Sequence, residues 1–528
     1  MSSMNVLKCA WMAVACVLTA SALGAAGPFS QEAYLKPSDP VPFGTFGTDV
    51  ALRGNKLVVG NWSAGGGPYN RAYYFARSGT EWAQKQIVFF PGNGSASLAN
   101  FGYRVALLDD WLAVVASREP NFTTNANLGF VYLFKPTGAN GDWEVAGKIG
   151  STLVIQGNYF GESIAMTPGR MAVGQLSGRG SAHIYSLVGG QWTLESVLMG
   201  REPVGVAFSF DFGRSIALSK DGEWLVVGAP KESSKATGVN GVQNDVTSPG
   251  SGAAYIYRRF PDVQGQGPGW ILQAYLKASN TDPNDQFGVS VAIDETGSTV
   301  VVGAPFEDSV AEGVNGSQQN PNVIQPASVD RGAAYVFGRA AGGTNWTQTA
   351  YLKPFGLTGI FASAVDQFGN DVAVQDDLVI VGAHNSSRSA AYVFERGSDG
   401  AWATRARLTN SVPGSVRFTQ SMAIDGNTAV FSAHQDSTTA NRSGAVYVFT
   451  GFASAPPLPN PTITYQSADD SVELTFFGTV GQSYLLQRSP DLLGWTTIQT
   501  VVANAEGQVE YQDANPPAEG AFYRIVLP

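Results

Sequence analysis

The chain has 528 residues, a formal net charge of −10 and only 14% charged residues, against 62 glycines. An acidic chain without a basic cluster is a poor match for nucleic acid or an anionic membrane surface, so neither is expected as a partner. Both cysteines, Cys9 and Cys16, fall within the first 26 residues, which removes thiol nucleophiles, thiolate metal sites and disulfides from the rest of the chain.

Residues 1–26 carry Lys8, an apolar run from Ala10 to Leu18 and small residues up to Ala26. That order predicts a secretory signal peptide, cleaved after Gly24 or Ala26. The apolar run is well short of the ~20 residues a spanning helix needs, so no transmembrane anchor is expected. The expected location is secreted, cell-surface or periplasmic.

From residue 46 to 451 one unit recurs seven times. Its clearest copy reads FGVSVAIDETGSTVVVGAP at 287–305, GAAYVF at 332–337 and WTQTAYLK at 346–353. Period-2 alternation and β-branched runs separated by turn residues predict four antiparallel strands, a to d. Strand a opens at Phe46-Gly47, Phe101-Gly102, Phe160-Gly161, Phe212-Gly213, Phe287-Gly288, Phe368-Gly369 and Phe418-Thr419. Strand d opens at Trp82, Trp143, Trp192, Trp270, Trp346 and Trp402, and the seventh copy lacks it. Such regular tryptophans and phenylalanines predict packing residues rather than a sugar-stacking set. The missing strand stands at the other end of the chain: QEAYLKP at 31–37 matches LQAYLKA at 272–278 and QTAYLKP at 348–354. The prediction is an all-β chain whose residues 31–451 form a seven-bladed β-propeller, closed by pairing the N-terminal strand into the last blade.

Two long insertions interrupt the pattern, residues 231–251 and 306–331, both between strands b and c and both carrying GVNGxQ. They are expected to lie outside the strands, as neighbours on the end where the b–c and d–a connections emerge. Loops longer than about 12–15 residues in a compact fold are commonly functional. The candidate ligand-binding residues are therefore Glu232, Asn240, Asn244, Asp245, Glu307, Asp308, Asn315 and Asp330. His384 and His434 occupy matching positions in units 6 and 7 and read as strand-end residues, since no third ligand stands at metal-site spacing.

The Phe-Gly pair, the strand ending in Gly-Ala-Pro and the following GAAYVF-like strand resemble the FG-GAP repeat of integrin α-subunit propellers and their bacterial relatives. Units 4 and 5 match best; the others depart from Gly-Ala-Pro. The resemblance implies a ligand on the b–c and d–a end, and calcium in a–b hairpins of the form DxDxDGxxD. The hairpins here, such as SKDGE at 219–223 and DETGS at 294–298, are too short to supply those oxygens. No cofactor or metal is expected; calcium in the second insertion, held by Glu307, Asp308, Asn315 or Asp330, is the one alternative kept.

After residue 451, a proline-rich linker (452–461) leads to residues 462–528, which read as about six short strands of a small β-sandwich. The segment YLLQRSPDLLGW at 484–495 is similar to the fibronectin-III-like modules that end many exported bacterial proteins. The chain shows no nucleophile elbow, His-Glu-x-x-His or phosphate loop. The expected function is a monomeric, exported, non-catalytic binding or adhesion protein that contacts an extracellular protein or glycan. The alternative is a secreted hydrolase acting on polysaccharide through paired carboxylates.

Overall fold

The computed structural model describes residues 29–62, 70–92, 99–121, 126–127, 129–138, 141–151, 159–176, 178–200, 210–243, 245–263, 265, 267–320, 330–340, 342–356, 366–384, 389–412, 417–452, 462–466, 471–477, 482–491, 494–504, 508–517 and 521–526. The predicted signal peptide, most of the linker and Asn244 lie outside them. Among the described residues no helix is long and apolar enough to cross a membrane. The chain divides into two compact units, one Phe29–Phe452 and the other holding Ala453–Pro528.

Among the described residues of Phe29–Phe452, the strands form seven antiparallel sheets of four strands, one of them extended to five, and one two-stranded pair, Pro120–Asn121 with Ala126–Asn127. In the fifth, Ser290–Ile293, Thr299–Ala304, Ala333–Arg339 and Trp346–Lys353 pair in sequence order. The seventh sheet draws Phe418–Asp425, Thr428–Ala433 and Ala445–Thr450 from its own unit. Its outer strand is Ser30–Leu35, with Tyr34 opposite Tyr447 and Leu35 opposite Val446. The strand displaced in sequence thus completes the sheet that lacks one.

Each unit's phenylalanine is fully buried and packs on an aromatic ring of strand c. Phe46 meets Tyr73 at 5.2 Å, Phe212 meets Tyr255 at 5.4 Å and Phe287 meets Tyr335 at 5.3 Å, at mostly edge-on angles that favour the ring quadrupoles. In the third unit His183 takes the tyrosine's place against Phe160, and burial lowers its pKa to about 4. The glycine that follows is required by both conformation and space. Gly288 has φ +95°, and a Cβ there would stand 2.2 Å from the Ala253 carbonyl oxygen. The seventh unit departs from this rule, placing Thr419 at φ +71° with its hydroxyl buried and unpartnered.

The first strand of each sheet lies beside the first strand of the next, and Phe418–Asp425 lies beside Phe46–Arg53. One side chain, two residues after the Phe-Gly pair or its equivalent, makes the link each time. Asp49 accepts from Val105 N (2.8 Å), Arg104 Nε donates to Glu162 O (3.0 Å) and Ser163 Oγ donates to Gly213 O (2.8 Å). Ser215 donates to Gly288 O (2.9 Å) and Ser290 to Gly369 O (2.8 Å), while Asp371 accepts from Met422 N (2.8 Å). Ser421 Oγ then donates to Asp49 Oδ1 (2.9 Å) and returns to the start. Polar side chains at this inner position are thus satisfied sheet to sheet, as buried polar groups must be.

The described residues of the C-terminal unit form six strands in two three-stranded sheets. Thr462–Gln466, Ser471–Phe477 and Gln508–Asp513 form one; Thr496–Val502, Ser483–Ser489 and Phe522–Val526 form the other. Phe476 and Val509 of the first sheet share a core with Tyr484, Leu486 and Ile525 of the second. Asp513 ties the two together, accepting from Arg488 Nη1 (2.7 Å) and Tyr523 OH (2.8 Å).

Candidate functional site

The insertions do not stand clear of the sheets. Gly313–Val314 adds a short fifth strand against Leu352 and Lys353, and Val239 bridges Leu276. This corrects the expectation that they lie outside the strands, and the reason is local. Asn240 and Asn315 use their side-chain oxygens as backbone acceptors, taking Tyr275 N and Tyr351 N at 2.9 Å each. Glu232 and Glu307 go deeper. Glu232 accepts from Lys277 Nζ at 2.8 Å and Glu307 from Lys353 Nζ at 2.5 Å, with both lysines fully buried. The same arrangement fastens the closing strand, where Lys36 Nζ meets the buried Asp436 at 2.5 Å. Of these four candidate ligand-binding residues, Glu232 and Glu307 are buried in ion pairs, whereas Asn240 and Asn315 brace the insertions through Oδ1 and remain exposed.

Asp245, Asp308 and Asp330 are half-buried. Asp245 closes its own turn by accepting from Thr247 N and Oγ1, and the hydroxyl holds its carboxyl below the usual range. Asp308 and Asp330 lie at the edge of a carboxylate group that includes Asp282, Asp285 and Glu307. Burial, reinforced by Glu307, pushes the Asp285 carboxyl up to about 8. Among the described residues no group of three or more His, Cys, Asp or Glu side chains has a metal-binding arrangement. Glu307 and Asn315, two of the four residues considered for calcium, are already engaged as described.

A cavity of about 460 Å³ opens at the same end of the strands, its wall drawn mainly from units 1 and 7. Four of its wall residues, Thr48, Tyr103, Arg214 and Gln420, directly follow the Phe-Gly pair or its equivalent in units 1, 2, 4 and 7. Arg104 lies below them; Thr45 and Arg417 precede the phenylalanine in left-handed conformations, φ 53° and 58°. Phe43, Trp62, His434, Gln435 and Arg442 complete the wall.

The electrostatics of this cavity are positive in an otherwise acidic chain. Burial opposes the charge of Arg104, but Tyr103, Asp49 and Asp371 together hold its guanidinium above the ordinary value. Asp371, one of these acids, is itself pushed up to about 7, chiefly by burial. Arg214 pairs with Glu162, which also accepts from Tyr103 OH at 2.8 Å. Burial, with Arg417 next in effect, lowers His434 to about 3 and His384 to about 4, so both stay neutral near pH 7. Trp62 Nε1, His434 Nδ1 and His384 Nδ1 are buried and lack a hydrogen-bond partner in the protein. Trp143, Trp192 and Trp346, which open strand d, also bury an unpartnered Nε1, but they lie in packing positions and do not line the cavity, as Trp62 does.

Residues 270–320, 357–394 and 402–449 match the FG-GAP repeat model. With the inner strands ringed as described, the match supports a β-propeller fold for Phe29–Phe452, with FG-GAP repeats in the matched residues. Among solved structures the chain is similar to a protein from Lactobacillus plantarum, at 15% identity and TM-score 0.40 over 68% of this chain and 84% of that one. It is also similar to Saccharomyces cerevisiae Sqt1 (10% identity, TM-score 0.41, 84% and 94% covered) and Chaetomium thermophilum Sqt1 (13%, 0.40, 84% and 95%). No curated protein matches the chain.

Proposed function

We propose that this chain is an exported, non-catalytic binding protein of the adhesion type, which contacts an extracellular protein or glycan as a monomer. In this reading residues 31–451 are a seven-bladed FG-GAP propeller closed by its N-terminal strand, and residues 462–528 are a fibronectin-III-like sandwich that acts as spacer or second contact. Export is supported by the signal-peptide pattern of residues 1–26 and by the extracellular habit of FG-GAP repeats. The observation that carries the binding reading is the cavity at the b–c end, with its aromatic rings, guanidinium groups and unpartnered donors. The exposed parts of the two insertions belong to the same end, and neither insertion lines the cavity. A carboxylate-dependent hydrolase would need two carboxylates facing a cavity, and this wall offers guanidinium, amide, hydroxyl and aromatic groups instead.

The test is an array of glycans and matrix proteins probed with the mature chain and with two double variants. Trp62→Ala with Gln435→Ala alters the cavity; Arg53→Ala with Lys220→Ala alters the opposite end of the ring. Loss of signal in the first alone is expected. Equal signals from all three proteins would overturn the assignment of this end.

A further inference from the structure

We propose that the arginine-lined cavity binds a carboxylated sugar, such as a uronate unit of an acidic polysaccharide. This rests on the binding reading above and narrows it to one ligand chemistry. The first support is charge. The wall carries Arg104, Arg214, Arg417 and Arg442 and no carboxylate, on a chain with ten more acidic than basic side chains. Arg214 is committed to Glu162, and Arg104 is held by Glu162 O and the nearby Asp49 and Asp371. Arg417 and Arg442 form no ion pair among the described residues. Two uncommitted guanidinium groups on one cavity wall suit a carboxylate, whose two oxygens match the guanidinium fork.

The second support is the set of unused polar atoms. An indole N–H can only donate, and Trp62 Nε1 has no acceptor in the protein. Neutral His434 leaves Nδ1 without a partner as well. With Thr45, Thr48, Gln420 and Gln435 beside them, they offer the mixed donors and acceptors that sugar hydroxyls require. The third support is shape. Trp62 and Tyr103 stand edge to face at 5.2 Å, and Phe43, half exposed, lies beneath Arg442. Such rings give a sugar's C–H face an apolar surface, in a volume within the ~300–1,000 Å³ typical of small-ligand sites. A peptide carboxyl terminus is commonly taken by a nest of backbone N–H groups, whereas the donors here are side chains spread over a wall.

The experiment is isothermal titration of the mature chain with oligomers of galacturonate, glucuronate and mannuronate, their methyl esters, neutral counterparts and a peptide with a free carboxyl terminus. At least one acidic oligomer should bind, its ester at least roughly tenfold more weakly, and added salt should weaken the interaction. Arg417→Gln and Arg442→Gln should each cost roughly tenfold or more in affinity at unchanged melting temperature, while Arg53→Gln at the opposite end should not. Equal binding of acid and ester, unaltered affinity in both arginine variants, or capture of the peptide by the same arginines would overturn the proposal. Neutral glycans or proteins bound through Trp62, with no response to the acids, would overturn it and leave the broader binding reading standing. Silence towards every ligand would defeat both.

Discussion

Two regions at the same end of the propeller treat their polar groups in opposite ways. Around the insertions of units 4 and 5, Lys277 and Lys353 are sealed against Glu232 and Glu307, and Asn240 and Asn315 finish backbone ladders. Around the cavity, Trp62 and His434 keep buried nitrogens without protein partners, and Arg417 stands exposed without an ion pair among the described residues. Apart from Asp308 Oδ1, the first region spends its chemistry inward on stability; the second leaves Trp62, His434 and Arg417 available. Polar richness in a long loop is therefore not a measure of its readiness for a ligand. What distinguishes the two is whether each group's partner belongs to the protein.

The sharpest break of this contrast is Lys353→Met. It strands Glu307 in a buried site, and removing one partner of a buried pair costs about 3–5 kcal/mol. Urea unfolding should show that loss, and Lys353→Met combined with Glu307→Leu should recover most of it, because the uncompensated charge is gone. Arg417→Gln should stay within about 0.5 kcal/mol of the parent, as surface changes do. Comparable losses in the two single variants would erase the distinction.

A second comparison uses pH. Asp285 is raised to about 8 and Asp371 to about 7, both chiefly by burial. The folded chain thus holds protons that the unfolded chain releases near ~4, so these groups lose stability as pH rises from ~4 towards 8. The lowered histidines act oppositely, but only below their unfolded pKa of ~6.5. Between pH 6.5 and 8 the carboxyls should dominate, each giving a fall of at most ~1.4 kcal/mol per pH unit. Asp285→Asn should flatten that fall beside the insertions and leave the part due to Asp371 near the ring centre. A slope identical to the parent would mean that Asp285 is ionised throughout.

The smallest effect concerns Thr419, fully buried next to the cavity-wall residue Gln420. Thr419 holds a β-branched side chain at φ +71° with its hydroxyl unpartnered, a strain of about 1–3 kcal/mol. Thr419→Gly should therefore raise stability by about 1 kcal/mol after allowing for glycine's larger unfolded-state entropy. A lower melting temperature would show that the threonine packing outweighs its backbone strain.

The repeat, the packing tryptophans and the displaced outer strand were legible because each is a local pattern that returns at a fixed place. The lock was legible too, though only by comparing units. Glu232, Glu307 and Asp436 each stand three residues after the alanine that ends strand b, and each answers a Tyr-Leu-Lys on the outer strand. Reading the insertions as loops hid that correspondence. The cavity was harder. Thr48, Tyr103, Arg214 and Gln420 share a position in the repeat but no chemistry, and only closure of the ring brings them together. Arg417 and Arg442 are separated by a whole hairpin, so no spacing rule points to them.

The outer strand of the seventh sheet, Ser30–Leu35, joins Ala445–Thr450 across nearly the whole propeller sequence. During synthesis the first strand to emerge must therefore wait for the last. Until then Ser30–Leu35 presents a row of unpaired backbone groups, the kind of edge that recruits other chains. A copy cut short before Thr450 leaves the early strand without its full docking partner, while a finished copy hides both. Completeness of the polypeptide is thereby written into its surface, in a form that a chaperone or protease able to sense an open strand edge can read.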